Sequence, residues 1–454
     1  MSRCLIPAAA VAAAAAILTA GCASAGASGL GALDGAAAIV PANAVSFVAA
    51  STDLTSSEWH GLAKPFLSDV QAYQSALGGE VDVAELPGKQ IVVLTQPSDA
   101  QKLDALAAKK NERTRKIGEW TAIARTSATL DTVANATAHL ASSTAFTDAM
   151  AKLPDKALVR AYTNGDEASD LLFAIPGAMQ STSAPGGIPF RQAKTRQVGG
   201  QNVAMTSIDW LAAAVTSESG GLRAQAFVKT GGLVAPGPPR FIFRPMTPYR
   251  SSLVDEIPSG ALFVADFQAP PAMFEWNGVP KPLQTLLGSK LSVTLPTELD
   301  QIFGGETAIF ATPGAPIPTI TVVTQPPTDT LSAAQALDTI LEAVPDSSPL
   351  HGMKLVRATI GGQFVISTSQ AGIDAFRGGG AKLSTDATFT EAAKQAGMGA
   401  SSTGFVYANA KDALPLLELA GVKLPSGLPN LTTFFAYGDE ATNESTFSAF
   451  LGVG

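Results

Sequence analysis

Sulfur and imidazole are scarce in this chain: of 454 residues only two are cysteine and three histidine. Cys4 and Cys22 both stand in the first 22 residues, so the body of the chain has no thiol for a disulfide framework or a thiolate metal site. His60, His139 and His351 are far apart and none belongs to an H-E-x-x-H or Cys/His cluster, so no metal site is expected. Charge is also sparse, at 15% of residues with a net of -8, which argues against nucleic acid and against a general attraction to anionic lipid heads. After Ala20 no uncharged apolar run approaches the length of a membrane span. Nucleophile signatures are missing too: there is no G-x-S-x-G elbow, and no Lys has a Ser three residues before it. No P-loop occurs, and Gly29-Leu30-Gly31 has no strand before it and its third glycine misplaced at Gly35, so it is no dinucleotide loop. No catalytic residue and no cofactor is expected, and the chain reads as a non-enzyme.

What the chain does contain begins with Arg3 and an apolar run from Leu5 to Leu18, too short to cross a bilayer as a mature helix. Leu18-Thr19-Ala20-Gly21-Cys22 closes that run, and small residues directly before a Cys resemble the lipobox of bacterial lipoproteins. The resemblance implies that residues 1–21 are a lipoprotein signal peptide, that Cys22 is the lipidation site carrying a diacylglycerol and usually a further acyl chain, and that the protein is lipid-anchored at the extracytoplasmic face of the cell membrane. Two or three acyl chains on one residue anchor stably where one chain gives only marginal binding. Residues 22–39 are almost wholly Ala, Gly and Ser and read as a flexible tether, with a reach on the order of 20 to 25 Å.

The chain then repeats itself. Val40-Pro41-Ala42-Asn43-Ala44-Val45-Ser46-Phe47-Val48-Ala49 returns as Ile257-Pro258-Ser259-Gly260-Ala261-Leu262-Phe263-Val264-Ala265-Asp266, and Glu58-Trp59-His60-Gly61-Leu62-Ala63-Lys64-Pro65 returns as Glu275-Trp276-Asn277-Gly278-Val279-Pro280-Lys281-Pro282, both at an offset of 217. Later matches need small shifts: Val92 to Pro97 with Thr321 to Pro326, Phe146-Thr147-Asp148 with Phe389-Thr390-Glu391, and Tyr162-Thr163-Asn164 with Tyr407-Ala408-Asn409. Two homologous α+β repeats are expected, 40–230 and 257–454, joined by a Pro/Gly-rich linker at 231–256.

Strand character marks Val45 to Ala49, Ile91 to Thr95, Thr121 to Arg125, Leu158 to Thr163 and Leu222 to Lys229. Leu331, Ala334, Leu337, Ile340, Leu341 and Val344 share one helical face, with Thr330 or Ser332 as N-cap. Each repeat reads as a mainly antiparallel sheet covered by helices on one side. Thr307 to Ala311 and Thr319 to Thr324 form an expected hairpin across Pro313-Gly314-Ala315-Pro316, of which repeat one shows a single strand. Repeat one in turn carries an insertion at 175–201. The Pro-led strand, the Phe-Thr-Asp/Glu helix followed by a Tyr-containing strand, and the duplication together resemble a bacterial envelope family known as domain of unknown function 3352, which brings no catalytic residues and no assigned activity.

The repeated Glu-Trp-x-Gly-x-x-Lys-Pro element could line twin binding sites with Trp59 and Trp276 as stacking platforms, but it reads better as shared architecture. Tyr162 with Asn164, and Tyr407 with Asn409, are read the same way. Asp166-Glu167, Asp255-Glu256 and Asp439-Glu440 read as solvated turn caps rather than acid/base pairs. The run Lys109-Lys110-Asn111-Glu112-Arg113-Thr114-Arg115-Lys116 reads as a solvated helix end and loop, with phospholipid head groups or an anionic wall polymer as the alternative partner. The expected function is therefore a non-enzymatic lipoprotein for binding or envelope organisation, with an envelope protein or a lipid as partner. The alternative is a carrier or chaperone for a lipid or other apolar ligand.

Overall fold

The structure, a computed structural model, describes residues 33–52, 75–165, 196–198, 201–203, 206–233, 247–268, 295–314, 317–343, 354–419, 430–441 and 443–454. Cys22, the two Glu-Trp elements, His60, His351, Asp166-Glu167 and most of the 175–201 insertion lie outside them. The chain divides into two compact units, the first made of residues 1–195, 204–237 and 441–454, the second of 196–203 and 238–440. Each is mixed α/β around an antiparallel sheet.

In unit 1 the strands are β1 (Ser46–Ser51), β2 (Glu80–Leu86), β3 (Gln90–Thr95), β4 (Arg113–Ile117), β5 (Trp120–Ala124), β6 (Val159–Asn164), β9 (Thr206–Glu218), β10 (Gly221–Leu233) and β18 (Glu444–Val453). Their order is β18-β10-β9-β6-β1-β2-β3-β5-β4. Helices α1 (Ala100–Lys109), α2 (Ser127–Ala134) and α3 (Thr144–Met150) follow β3 and β5. In unit 2 the strands β11 (Phe263–Gln268), β12 (Glu306–Thr312), β13 (Thr319–Thr324), β14 (Val356–Ile360), β15 (Gln363–Ser367), β16 (Gly404–Ala408) and β17 (Leu431–Ala441) take the order β17-β16-β11-β12-β13-β15-β14. Helices α4 (Leu295–Phe303), α5 (Thr330–Ala343), α6 (Gln370–Arg377), α7 (Ala387–Ala396) and α8 (Ala410–Leu419) accompany them. A separate hairpin pairs β7 (Arg196–Val198) with β8 (Gln201–Val203). Seven strands of unit 1, from β9 to β4, thus stand in the same order as the seven described strands of the main unit 2 sheet.

Helices cover both faces of each sheet, not one. Strand residues alternate between faces, so Ala84, Val92 and Ala124 pack with Leu130, Val133 and Phe146 of α2 and α3, while their neighbours Val83, Val93 and Ile123 pack with Leu103 and Ala107 of α1. Unit 2 repeats the division: Val322 and Ile366 meet Ala336 and Leu337 of α5, whereas Phe310 stacks on Phe376 of α6 at 6.2 Å. Alternate residues of these central strands are apolar on both sides, as burial between two helical layers requires.

Several expectations are corrected. The flexible segment expected over 22–39 stops earlier: Gly35–Ala38 is a 3₁₀ turn, and Leu33, Ala36 and Ala37 are buried in the first core. The small side chains that make this segment look disordered are what let it lie flat on the sheet. Unit 1 has both strands of the hairpin, since β2 and β3 pair from Val81↔Thr95 to Leu86↔Gln90 around Gly88 and Lys89 at positive φ. The basic run is a helix end followed by strand β4 rather than loop. Helix α5 is capped by Asp329, whose Oδ1 accepts from the Ser332 amide at 2.7 Å, and Leu331 faces solvent. Residues 249–256 of the expected linker are part of unit 2, and residues 444–452 pair with β10 from Gly221↔Gly452 to Lys229↔Glu444, so they belong with the first unit.

The sequence-matched aromatics meet in both units. Phe146 of α3 stands edge-on to Tyr162 of β6 with centroids 5.2 Å apart, and Phe389 of α7 stands edge-on to Tyr407 of β16, also at 5.2 Å. Phe47↔Tyr162 and Val264↔Tyr407 are cross-strand partners. Each such aromatic pair adds about 1 kcal/mol beyond its burial.

Candidate functional site

The densest polar chemistry among the described residues lies where each unit's chain first meets its sheet. In unit 2, Glu306 opens β12 and points at the segment Ser251–Asp255, whose last three residues form a 3₁₀ turn. Its Oε1 accepts from the amides of Ser252 at 2.8 Å and Leu253 at 3.0 Å, and its Oε2 accepts from the Ser252 hydroxyl at 2.6 Å. A carboxylate here satisfies the orphan N–H groups that every helical turn leaves at its start. Gln325, just after β13, donates to the Ser252 hydroxyl at 2.8 Å.

Asp266 of β11 lies beside this cap and is 1% exposed. The Ser251 hydroxyl oxygen is 3.0 Å from Asp266 Oδ2 and 2.9 Å from Glu306 Oε1, and the Tyr249 hydroxyl donates to Asp266 Oδ1. Ser251 has one proton and so can donate to one carboxylate only. When Asp266 is ionised the Ser251 hydroxyl can donate to it; when Asp266 is protonated it can donate to the Ser251 oxygen while Ser251 donates to Glu306. Burial is the main reason that Asp266 is pushed up to about 7, and the Glu306 charge adds to it against the hydrogen bonds from Tyr249 and Ser251. Burial, with Asp266 and Glu306 beside it, holds the Tyr249 hydroxyl far above its ordinary range.

Unit 1 builds the same junction with different acids. Glu80 opens β2 as Glu306 opens β12: Ser51↔Glu80 and Gln268↔Glu306 are matching partners, 217 apart on the first strand. Glu80 faces the Gly35 amide, and Asp82 faces the Ala36 amide and the Glu80 carboxyl. These approaches are looser than full hydrogen bonds, and Glu80 Oε1 and both Asp82 oxygens are buried without a hydrogen-bond partner. Burial raises Glu80 and raises Asp82 well above the usual carboxylate range, the Asp82 shift being reinforced by Glu80. Arg160 of β6, 3% exposed, donates to Asp34 Oδ2 at 2.8 Å and to the Met150 carbonyl at 2.6 Å. Register places Ala49 between Asp82 and Arg160, and Asp266 between Ala308 and Phe405. The buried acid thus stands on the second strand in unit 1 and on the first in unit 2, and Phe405 holds the register position in unit 2 that Arg160 holds in unit 1.

None of these acids stands out as a site in the sequence, although Asp266 closes the repeated segment. Of the adjacent acids that the sequence does present, Asp255 and Asp439 are exposed, while Glu256 accepts from Gln363 at 2.6 Å. The overlooked signal is Gly78-Gly79-Glu80 against Gly304-Gly305-Glu306. A Cβ on Gly78 would lie 1.9 Å from the Gln96 carbonyl oxygen, and one on Gly305 would lie 1.8 Å from that of Gln325, so both positions require glycine. Asn409 caps α8 together with Asp412, its Nδ2 donating to Asp412 Oδ2 at 2.8 Å, while Asn164 Oδ1 is buried with no hydrogen bond. His139 forms a backbone bridge with Pro41, and Lys382 bridges Pro258 in the same way. Among the described residues no group of His, Cys, Asp or Glu could hold a metal ion, and no helix is long and apolar enough to cross a membrane.

No protein-family model matches the chain, and no curated protein matches it in sequence. Among solved structures it is similar to one titled "Structure of crystal form IV of TP0453", at a TM-score of 0.26 and 9% identity over 43% of this chain and 81% of that one.

Proposed function

We propose that the chain is a lipid-anchored extracytoplasmic lipoprotein, acylated at Cys22, whose two homologous α+β modules serve a non-enzymatic binding or envelope-organising role. The observation that carries this reading is the doubled junction. Both units use a glutamate at the start of the second strand to face a 3₁₀ turn, with a buried aspartate beside it. A glutamate that recurs at the same register, facing backbone amides in both units, is occupied with architecture rather than with a substrate. The common strand order and the Phe146–Tyr162 and Phe389–Tyr407 pairs support descent of both modules from one ancestor.

Fractionation tests the anchor. Cys22→Ser releases the protein from membranes and abolishes labelling by a fatty-acid analogue; unchanged retention sinks the proposal. Mass spectrometry of small molecules copurifying with the chain that lacks residues 1–22 tests the module role. A stoichiometric lipid there favours the carrier reading instead.

A further inference from the structure

We propose that the edge of unit 1 formed by β4 and the end of α1 is a contact surface for anionic phospholipid head groups, a second membrane signal beside the acyl anchor. Strand β4 is terminal in its unit's order, and among the described residues it pairs with β5 alone. Lys109 and Lys110 end α1, and Arg113, Arg115 and Lys116 follow on β4, so five cations occupy eight residues of an otherwise acidic chain. Lys109, Lys110, Arg113 and Lys116 are exposed. Nearby acids offset only part of this charge: Asp131 pairs with Arg115 at 2.7 Å, Glu112 is half-buried beside Arg125 and Lys110, and Glu119 receives a weak hydrogen bond from Gln96 at 3.5 Å. A strand edge of this kind carries lysine to discourage pairing with other strands, but that purpose needs no second cluster on the adjoining helix end.

Position identifies the partner. The first described residues enter the fold beside this edge, because a Cβ on Gly35 would stand 3.0 Å from the indole of Trp120, and Trp120 is the cross-strand partner of Ile117 at the end of β4. Ten residues separate Cys22 from Leu33, and ten residues reach at most about 35 Å. An acyl chain on Cys22 therefore holds the basic edge within one short segment of the lipid surface, where each Lys or Arg gains attraction to anionic heads despite the net charge of -8. The inference rests on the proposed acylation of Cys22 for its biological setting, but its test does not.

The test uses the chain lacking residues 1–22, which keeps every described residue and has no acyl group. It is sedimented with phosphatidylcholine vesicles with and without about 30% phosphatidylglycerol, at low salt and at about 0.5 M salt. Binding is expected only with the anionic vesicles at low salt. Changing Lys109→Glu, Lys110→Glu and Lys116→Glu together weakens that binding at least about 100-fold, whereas Arg377→Glu, Lys394→Glu and Lys411→Glu, an equal charge change on exposed residues of unit 2, leaves it within about 3-fold. Absence of binding to anionic vesicles, or equal loss in the two triple variants with both folded by circular dichroism, overturns the proposal. Membrane release of Cys22→Ser is scored separately in cells, so failure of the anchor and failure of the basic edge give different results.

Discussion

Replacing Asp266 by Asn separates the charge of the unit 2 junction from its shape. Asp266 is 1% exposed and holds its proton up to about 7, against an ordinary value of 3.8. The folded state thus binds this proton more tightly than the unfolded chain does. Its contribution to stability is fully present below about pH 4 and is lost as pH rises through about 7. Over that interval the loss is on the order of 4 kcal/mol. Asparagine reproduces the protonated carboxyl: its oxygen accepts from Tyr249, and its amide donates to Ser251, which then donates to Glu306. Asp266→Asn should match the parent near pH 4, and by pH 8 should exceed it by a few kcal/mol, with a correspondingly higher urea midpoint. Urea titrations of both proteins at pH 4, 6 and 8, followed by circular dichroism, give the difference directly. Other raised carboxyls, such as Asp82, are common to both proteins and cancel. A variant less stable than its parent by the same amount at all three pH values would refute the reasoning, because Asp266 would then act through packing alone.

Asp82→Asn in unit 1 should behave with the same sign, neutral at low pH and stabilising at pH 8, because burial and Glu80 raise the Asp82 carboxyl in the fold; paired melting curves at two pH values check it. Glu306→Ala removes the acceptor of two amides and a hydroxyl, and should cost about 3 kcal/mol by denaturant titration, with amide exchange at Ser252 and Leu253 accelerated. Gly305→Ala drives a methyl group into the Gln325 carbonyl and should lower stability by more than about 1 kcal/mol, whereas alanine at Gly379, which has open space around it, should change little. Phe389→Ala empties the contact with Phe405, Tyr407 and Phe435 and should cost about 3 to 5 kcal/mol.

Much of the architecture was legible where side chains alternate cleanly. The strands at Val45–Ala49, Ile91–Thr95, Thr121–Arg125 and Leu158–Thr163 are present in the fold with small changes at their ends, and the matched Phe and Tyr residues do pack together. Strand β2 escaped notice because Glu80, Asp82 and Glu85 give it the look of a polar loop. Two of those acids are the ones that the fold recruits to the junction, so the charges that hide the strand are the same charges that hide the site. Residues 33–38 escaped for the opposite reason, since Ala and Gly carry no signal of burial although they fit a narrow space between a turn and a sheet. Helix α5 starts at Thr330, itself an expected cap position, and its buried stripe is centred on Ala333, Ala336 and Leu337. Small alanines can lie nearest the sheet where Leu331 would be too bulky.

The pairing of β10 with β18 has a consequence for the order in which the protein can mature. Gly221 meets Gly452, two positions separated by half the chain, so the outermost strand of the first unit is supplied from beyond the whole of the second. A polypeptide emerging during synthesis presents β10 with an open edge until residues 444–453 have followed it. Such an edge invites pairing with foreign strands, and contacts between distant residues form slowly. Quality control of the first unit is thereby deferred to the end of synthesis: a chain stalled or clipped before residue 444 exposes the fault far upstream, on the unit that was made first.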